Sequence, residues 1–412
     1  MHPLCLVLAT ALTGISAATV LDVGPSQRFT TVAAALAAAD SGDQVLIHSG
    51  IYRETGLEIV KPVALRGTGS PVLDAGGGIT ILTIRADGVR VTGICFRNVG
   101  VNYLREHAAI WLLGCGGTRI DSNRFEKNFF SIYGAQAHDA VISGNDLTGL
   151  YGTESGNGNG IHFWKCNGMT ATGNSIRGHR DGIYLEFTGN STVAGNHSEG
   201  NVRYGLHFMF SNGNRYSGNI FRKNGSGVAV MYSTGILMED NLFEDNWGNA
   251  AFGLLLKNIK DSRVVRNRFV GNTTGVFQEE VSRIRFEGNA FIRNGWALKL
   301  VADCDANDYE GNRFEGNTFD VSYNSSVMNS NSFRRNAWDR YQGYDLNHDG
   351  IGDTPYRPVE LFTVLMERYP ESMILLHSHF LSLLNLLERQ FPMLTPQNLE
   401  DPEPLFHGGR HG

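Results

Sequence analysis

Cysteine is scarce in this chain. Five occur in 412 residues, and one of them, Cys5, lies in the first apolar run. The remaining four, Cys95, Cys115, Cys166 and Cys304, are too few to staple the fold. Cys115, Cys166 and Cys304 recur at one position of the repeat described below, two and six turns apart. At roughly 4.8 Å per turn no pair of them comes within disulfide reach, so free thiols are expected even in a compartment that permits bridges. A surplus of one charge is also missing. Lys and Arg total 35, Asp and Glu 41, and the net charge is −6, which argues against a nucleic-acid partner. No uninterrupted apolar run reaches the roughly 20 residues of a membrane-spanning helix. The nearest candidate, Met373 to Arg389, carries two His, an Asn and a Glu. The Leu-x-x-Leu-x-Leu phrase of leucine-rich repeats does not occur.

Glycine, with 50 residues, and asparagine in a fixed phrase are what the chain has in plenty. Asn-x-Phe-x-x-Asn begins at Asn219, Asn241, Asn267, Asn289, Asn312 and Asn331, and Asn123, Asn145, Asn174 and Asn196 hold the same place upstream. Successive steps are 22, 29, 22, 23, 22, 26, 22, 23 and 19 residues. A period near 22 with short strands is the mark of a solenoid. Glycine recurs fourteen residues before the anchors, at Gly160, Gly182, Gly205, Gly227, Gly253 and Gly275, and is read as a turn residue. Apolar residues thirteen and eleven before, such as Leu206 and Phe208, alternate as in a strand with one buried face. Residues three before the anchors, such as Tyr216 and Met238, make a second buried strand. The pattern predicts an all-β chain: a right-handed parallel β-helix of about 22-residue turns, with anchor asparagines stacked at its corners.

The ends depart from the repeat. The apolar run 3–12 followed by Ser16-Ala17-Ala18 reads as a secretory signal over 1–18. Residues 19–43 are expected to cap the first turn, with a short Ala-rich helix over Thr30 to Asp40. The coil is expected over 44–344. The seven extra residues of the 29-residue step form a loop at 151–159, and a smaller insertion lies near Trp247. An acidic loop over 345–358 places Asp345, Asn347, Asp349 and Asp353 at alternate, calcium-loop-like positions. The closing bidentate Glu is absent, and a polar turn held by Asx hydrogen bonds is the plainer alternative. Residues 359–412 turn helical, with one short helix near Leu361–Leu365 and a second over Ser372–Arg389. The second is apolar nearly all round, which suits docking on another protein or a membrane surface, or capping of the last turn.

Candidate chemistry lies on the outward positions flanking buried position eleven. Twelve before the anchor stand His162, Tyr184 and His207; ten before stand Trp164, Glu186, Met209 and Met231. Thioether and imidazole ligands favour cuprous copper, so His207, Met209 and Met231 are a candidate copper site, and His162, Trp164, Tyr184 and Glu186 a candidate docking surface. The competing reading is a carbohydrate-binding or polysaccharide-cleaving β-helix. Cleavage wants two carboxylates at catalytic separation, and on this face Glu186 stands alone, with Glu279 four turns away.

Several ordered phrases carry a resemblance: Arg203 to Asn212, Gly227 to Ser233, Gly253 to Lys257, Asn317 to Ser322 and Tyr344 to Phe362, with Met373-Ile-Leu-Leu and Leu394-Thr-Pro further on. Over nearly the whole chain after residue 18 the sequence resembles the NosD family. The resemblance implies a non-enzymatic periplasmic β-helix that works with an ABC ATPase and membrane permease, NosF and NosY. It implies a part in maturing the copper sites of nitrous oxide reductase in denitrification, with the copper chaperone NosL as a docking partner. The C-terminal helices would then seat the coil on the permease.

Overall fold

In the computed structural model the described residues are 18–102, 104–324, 330–376, 378–390 and 399–406. Residues 1–17 of the signal segment expected over 1–18 and the Leu394-Thr-Pro phrase lie outside them. The chain winds into a right-handed parallel β-helix with three sheets, of 14, 12 and 13 strands, in which every named pair is parallel. A typical turn has a six-residue strand, Tyr204–Met209, and two three-residue strands, Arg215–Ser217 and Ile220–Arg222, before the next long strand, Ser226–Met231. Side chains of alternate residues enter the coil: Leu206 and Phe208 are wholly buried in the main core. One aromatic column, Phe221, Phe243, Phe269, Phe291, Phe314 and Trp338, stacks through it with centroids 4.1–5.5 Å apart.

The anchor asparagines satisfy the corner between the two short strands. Asn219 gives its backbone N–H and its Nδ2 to Asn241 Oδ1 at 3.0 and 2.9 Å, and Nδ2 also donates to the Val193 carbonyl at 2.9 Å. The same three bonds recur rung after rung and end where Asp401 Oδ2 accepts from Asn336 N and Nδ2, each at 3.0 Å.

Two expectations need correction here. The anchor after Asn312 is Asn336, which bonds it directly, and not Asn331, which pairs with Asn307. The two corners each set an Asn before an inward aromatic ring, so the phrase at Asn331 belongs to the neighbouring corner. Its Phe333 stacks on Tyr309, 4.3 Å away. The recurring glycines are not turn residues either. Gly205 lies inside the strand Tyr204–Met209, and a Cβ there would sit 2.7 Å from the Gly227 carbonyl oxygen of the next rung. Close approach, not backbone freedom, selects glycine.

At the N-terminus the helix Val32–Ala38 caps the coil, with Thr31 as its N-cap and the Glu54 carboxylate taking the N–H groups of Val32 and Ala33 at 2.8 and 2.9 Å. The coil starts earlier than residue 44, because Val20–Val23 already pairs with Gln44–Ile47. At the other end the helix Leu361–Arg368 closes the last turn, burying Phe362 and Met366 against Phe319. The helix expected over Ser372–Arg389 is two pieces, a 3-10 helix Pro370–Leu375 and an α-helix His379–Gln390. The break brings Leu384 back onto the Phe362 cluster and lets Glu388 accept from the Leu361 N–H at 3.0 Å. Among the described residues no helix is long and apolar enough to cross a membrane.

Candidate metal-handling face

The outer face of the long-strand sheet carries the residues singled out from sequence. Strand register sets His162 beside Tyr184 and Tyr184 beside His207. It sets Trp164, Glu186, Met209 and Met231 on four successive rungs. The first row is a ladder of rings: Tyr133, His162, Tyr184 and His207 follow one another at 4.7, 4.6 and 4.5 Å. It ends at His207, because the next rung offers only Ala229.

The rings point away from the coil, but water does not reach them as expected for an open patch. His162, Tyr184 and His207 are only 3%, 8% and 4% exposed. Phe130 packs over His162, and Tyr204 over His207 at 4.9 Å. Trp164, Glu186, Met209 and Met231 form the half-buried margin of this covered strip. The open aromatic surface lies one residue further on, at the corner. Phe187, Phe210 and Tyr232 stack at 5.2 and 5.0 Å and are 47%, 41% and 39% exposed. All three hold left-handed backbone, φ +49 to +51°, a conformation unfavourable for bulky residues. They recur nine residues before their anchors, a regularity present in the sequence one position beyond the outward strand residues.

Met209 and Met231 are register partners, so their Cα atoms lie about 4.8 Å apart. The Tyr184 hydroxyl meets Met209 Sδ at 3.5 Å. Both ring nitrogens of His207 are buried without a hydrogen-bond partner. At the start of the preceding rung Asp181 is fully buried, and Arg203 grips it with Nε to Oδ1 at 2.8 Å and Nη2 to Oδ2 at 2.5 Å. Arg203 also lies 3.5 Å from Glu154 of the 151–159 loop. Burial by itself would raise the Asp181 carboxyl, but the Arg203 hydrogen bonds, reinforced by His207, outweigh it and hold the group well below the usual carboxylate range. Glu186 is lowered chiefly by His162, whose Nε2 lies 3.7 Å away. Burial pushes the Cys166 thiol up to about 11, which leaves it an inert core residue. The four described cysteines are free and buried.

Two soft sulfurs in register beside an orphaned imidazole nitrogen fit a cuprous ion. Among the described residues no three His, Cys, Asp or Glu side chains converge as ligands, so the thioethers distinguish this face. The acidic loop is ordered by its own hydrogen bonds. Asp345 accepts from Asp349 N and Gly350 N at 3.2 and 3.0 Å, Asn347 from Asp349 N at 3.1 Å, Asp349 from Ile351 N at 2.8 Å, and Asp353 from Leu346 N at 2.6 Å. The Asn347 and Asp349 bonds are the Asx bonds of a polar turn, and Asp345 and Asp353 tie the loop across four to seven residues. A catalytic carboxylate pair does not form here. Glu186 faces His162, while Glu279 binds Lys257 at 2.9 Å four rungs on, roughly 19 Å by strand spacing.

Beside this face His179 is fully buried, and burial pushes its pKa down to about 3. The unfolded chain takes up a proton near pH 6.5 that the folded chain refuses until about pH 3. Stability held by neutral His179 is therefore intact above pH 6.5 and is lost as pH falls below it, by about 1.4 kcal/mol per unit. Asp320, raised by burial to about 7, has the opposite slope, so the comparison must be with a variant. Urea unfolding at pH 7.5 and 5.5 is expected to show the wild type losing about 1.4 kcal/mol relative to His179→Leu; parallel behaviour of the two would contradict the assignment.

Fold and face together define a parallel β-helix that carries two half-buried thioethers and a covered imidazole on an outer wall. A profile of the family described as "Periplasmic copper-binding protein (NosD)" matches residues 148–343. A Stutzerimonas stutzeri protein named "Probable ABC transporter binding protein NosD" is 30% identical over 395 residues, 84% of this chain and 83% of its own. A Pseudomonas aeruginosa protein of the same name is 30% identical over 399 residues, covering 84% and 85%. The chain belongs to the NosD family. Among solved structures, a family 28 exopolygalacturonase of Yersinia enterocolitica superposes with a TM-score of 0.61 at 9% identity, covering 77% of this chain and 79% of that one, a likeness of fold.

Proposed function

We propose that this protein is a non-enzymatic periplasmic scaffold that receives and relays cuprous copper at His207, Met209 and Met231 for an ABC transporter. The observation that carries the reading is the register pairing of Met209 with Met231 beside an imidazole that has no hydrogen-bond partner. Copper is cargo here. Two thioethers and one imidazole make an open, low-coordinate site that can release the ion to a partner. The family description as copper-binding and the relatives' naming as transporter-binding proteins support the reading. The receiving system would be the copper-site assembly of nitrous oxide reductase, with a NosL-type chaperone delivering the ion. The exposed Phe187, Phe210 and Tyr232 edge beside the sulfur pair is the surface we assign to that encounter, together with the half-buried Trp164 and Glu186. Cuprous titration against a Met209→Ala, Met231→Ala variant tests the site. Release of unsaturated or reducing-end products from acidic polysaccharides would instead support a carbohydrate-active role.

The C-terminal helix would face a NosY-type permease coupled to a NosF-type ATPase. Its turn at 379–390 leaves Phe380, Leu383, Leu386 and Leu387 exposed, while Phe362 and Asp401 close the coil itself. Truncation before Val359 would therefore uncover the coil end as well as remove the helix. Leu383→Gln with Leu386→Gln separates the two roles. The expected result is a melting midpoint within a few degrees of wild type and loss of co-purification with the co-expressed permease. Retained co-purification would contradict the seating role.

A further inference from the structure

The buried Asp181 carboxylate, held by the half-buried Arg203, lies beside His207. Asp181 Oδ2 lies 3.7 Å from His207 Nδ1, and the Arg203 clamp fixes it there from the other side. A carboxylate is an acceptor only, so a neutral imidazole beside it is favoured with its proton on the facing nitrogen. Asp181 is the register partner of Tyr204, at the start of the strand. Nδ1 therefore faces the strand's beginning, and Nε2, on the opposite flank of the ring, faces its end, where Met209 stands.

His162, two rungs earlier, is oriented the same way and gives the contrast. Its Nε2 lies 3.7 Å from Glu186, which occupies the Met209 column. Its Nδ1 meets Asn159 Nδ2 at 3.5 Å. Asn159 Oδ1 is engaged by Arg180 Nε at 3.2 Å and Asp181 N at 3.3 Å, so the amide presents its NH2 group to His162. Nδ1 of His162 is then the acceptor nitrogen and Nε2 bears the proton, turned toward Glu186.

We propose that Asp181, clamped by Arg203, is a positioning residue that holds His207 as the Nδ1–H tautomer with its Nε2 lone pair offered to the Met209–Met231 row, while Asn159 and Glu186 hold His162 in the opposite tautomer. The ladder thus contains one imidazole set to ligate and one set to donate. The functional meaning rests on the cuprous reading, but the tautomers exist without copper and are measured without it.

Long-range proton–nitrogen correlation on the copper-free full chain, labelled at histidine nitrogen, is the experiment, with His207→Gln and His162→Gln used to assign the signals. The expected spectrum shows His207 protonated at Nδ1 with a lone-pair Nε2, and His162 the reverse. Protonation of His207 at Nε2 would overturn the proposal, and this arm needs no variant at Asp181. Asp181→Asn is expected to mix or invert the His207 tautomer and to weaken cuprous binding about tenfold or more. A folded variant with unchanged tautomer and affinity would overturn the positioning role. The expected tautomers in a wild-type chain that binds no cuprous ion would uphold the assignment and reject the copper reading alone.

Discussion

Asn241→Ala is expected to cost roughly 3–6 kcal/mol of folding stability. The residue is 1% exposed and makes four side-chain hydrogen bonds. Its Oδ1 accepts from Asn219 N and Nδ2 at 3.0 and 2.9 Å, and its Nδ2 donates to Tyr216 O and Asn267 Oδ1 at 3.1 and 3.0 Å. Alanine leaves an Asn219 amide and a side-chain N–H buried with no acceptor, and each such orphan costs about 1–3 kcal/mol. The interior cannot readily supply water to them, because the aromatic column beside the ladder is closed. Against the 5–15 kcal/mol of an ordinary domain this is a severe loss, and in a stacked coil it falls on the interface between two neighbouring turns. Urea denaturation of Asn241→Ala beside Asn249→Ala, an exposed loop asparagine, checks it. The control should stay within about 0.5 kcal/mol of wild type; equal effects would contradict the ladder's role.

The second large effect is on the cargo. Met209→Ala with Met231→Ala is expected to reduce cuprous affinity by at least a hundredfold, about 2.7 kcal/mol, with little loss of fold. Both side chains are half-buried at the margin of the strip and outside the coil's core. What they remove is the soft half of the ligand set, leaving only His207, whose ring packs against Tyr204 and whose Nδ1 lies beside Asp181. A lone, shielded imidazole holds a monovalent ion poorly. Competition against a cuprous chelator reads the change directly, and a circular dichroism spectrum matching wild type shows that the coil is intact.

The coil was legible because a parallel stack repeats its constraints. Asn at the corner, an inward ring two residues later and alternation along the long strand recur whenever the chain returns to the same place. The outward direction of His207, Met209 and Met231 followed from the same alternation. The cover on the imidazoles did not: Phe130, on an earlier rung, packs over His162, and Tyr204, at the start of the same strand, packs over His207. Period alone also failed to separate two similar corners, which is why Asn331 stood in for Asn336. The ladder's terminus was invisible for a different reason. Asp401 reaches Asn336 across 65 residues of chain, with no periodicity linking them. The C-terminal run is apolar nearly all round, so no stripe marked the break that returns Leu384 to the coil.

Copper X-ray absorption on the full chain loaded with stoichiometric cuprous ion tests the central claim most directly. The account predicts sulfur scatterers together with one imidazole nitrogen, and loss of the sulfur shell in the Met209→Ala, Met231→Ala variant. A first shell of nitrogen and oxygen alone in the wild type, or a sulfur shell unchanged in the variant, would contradict it.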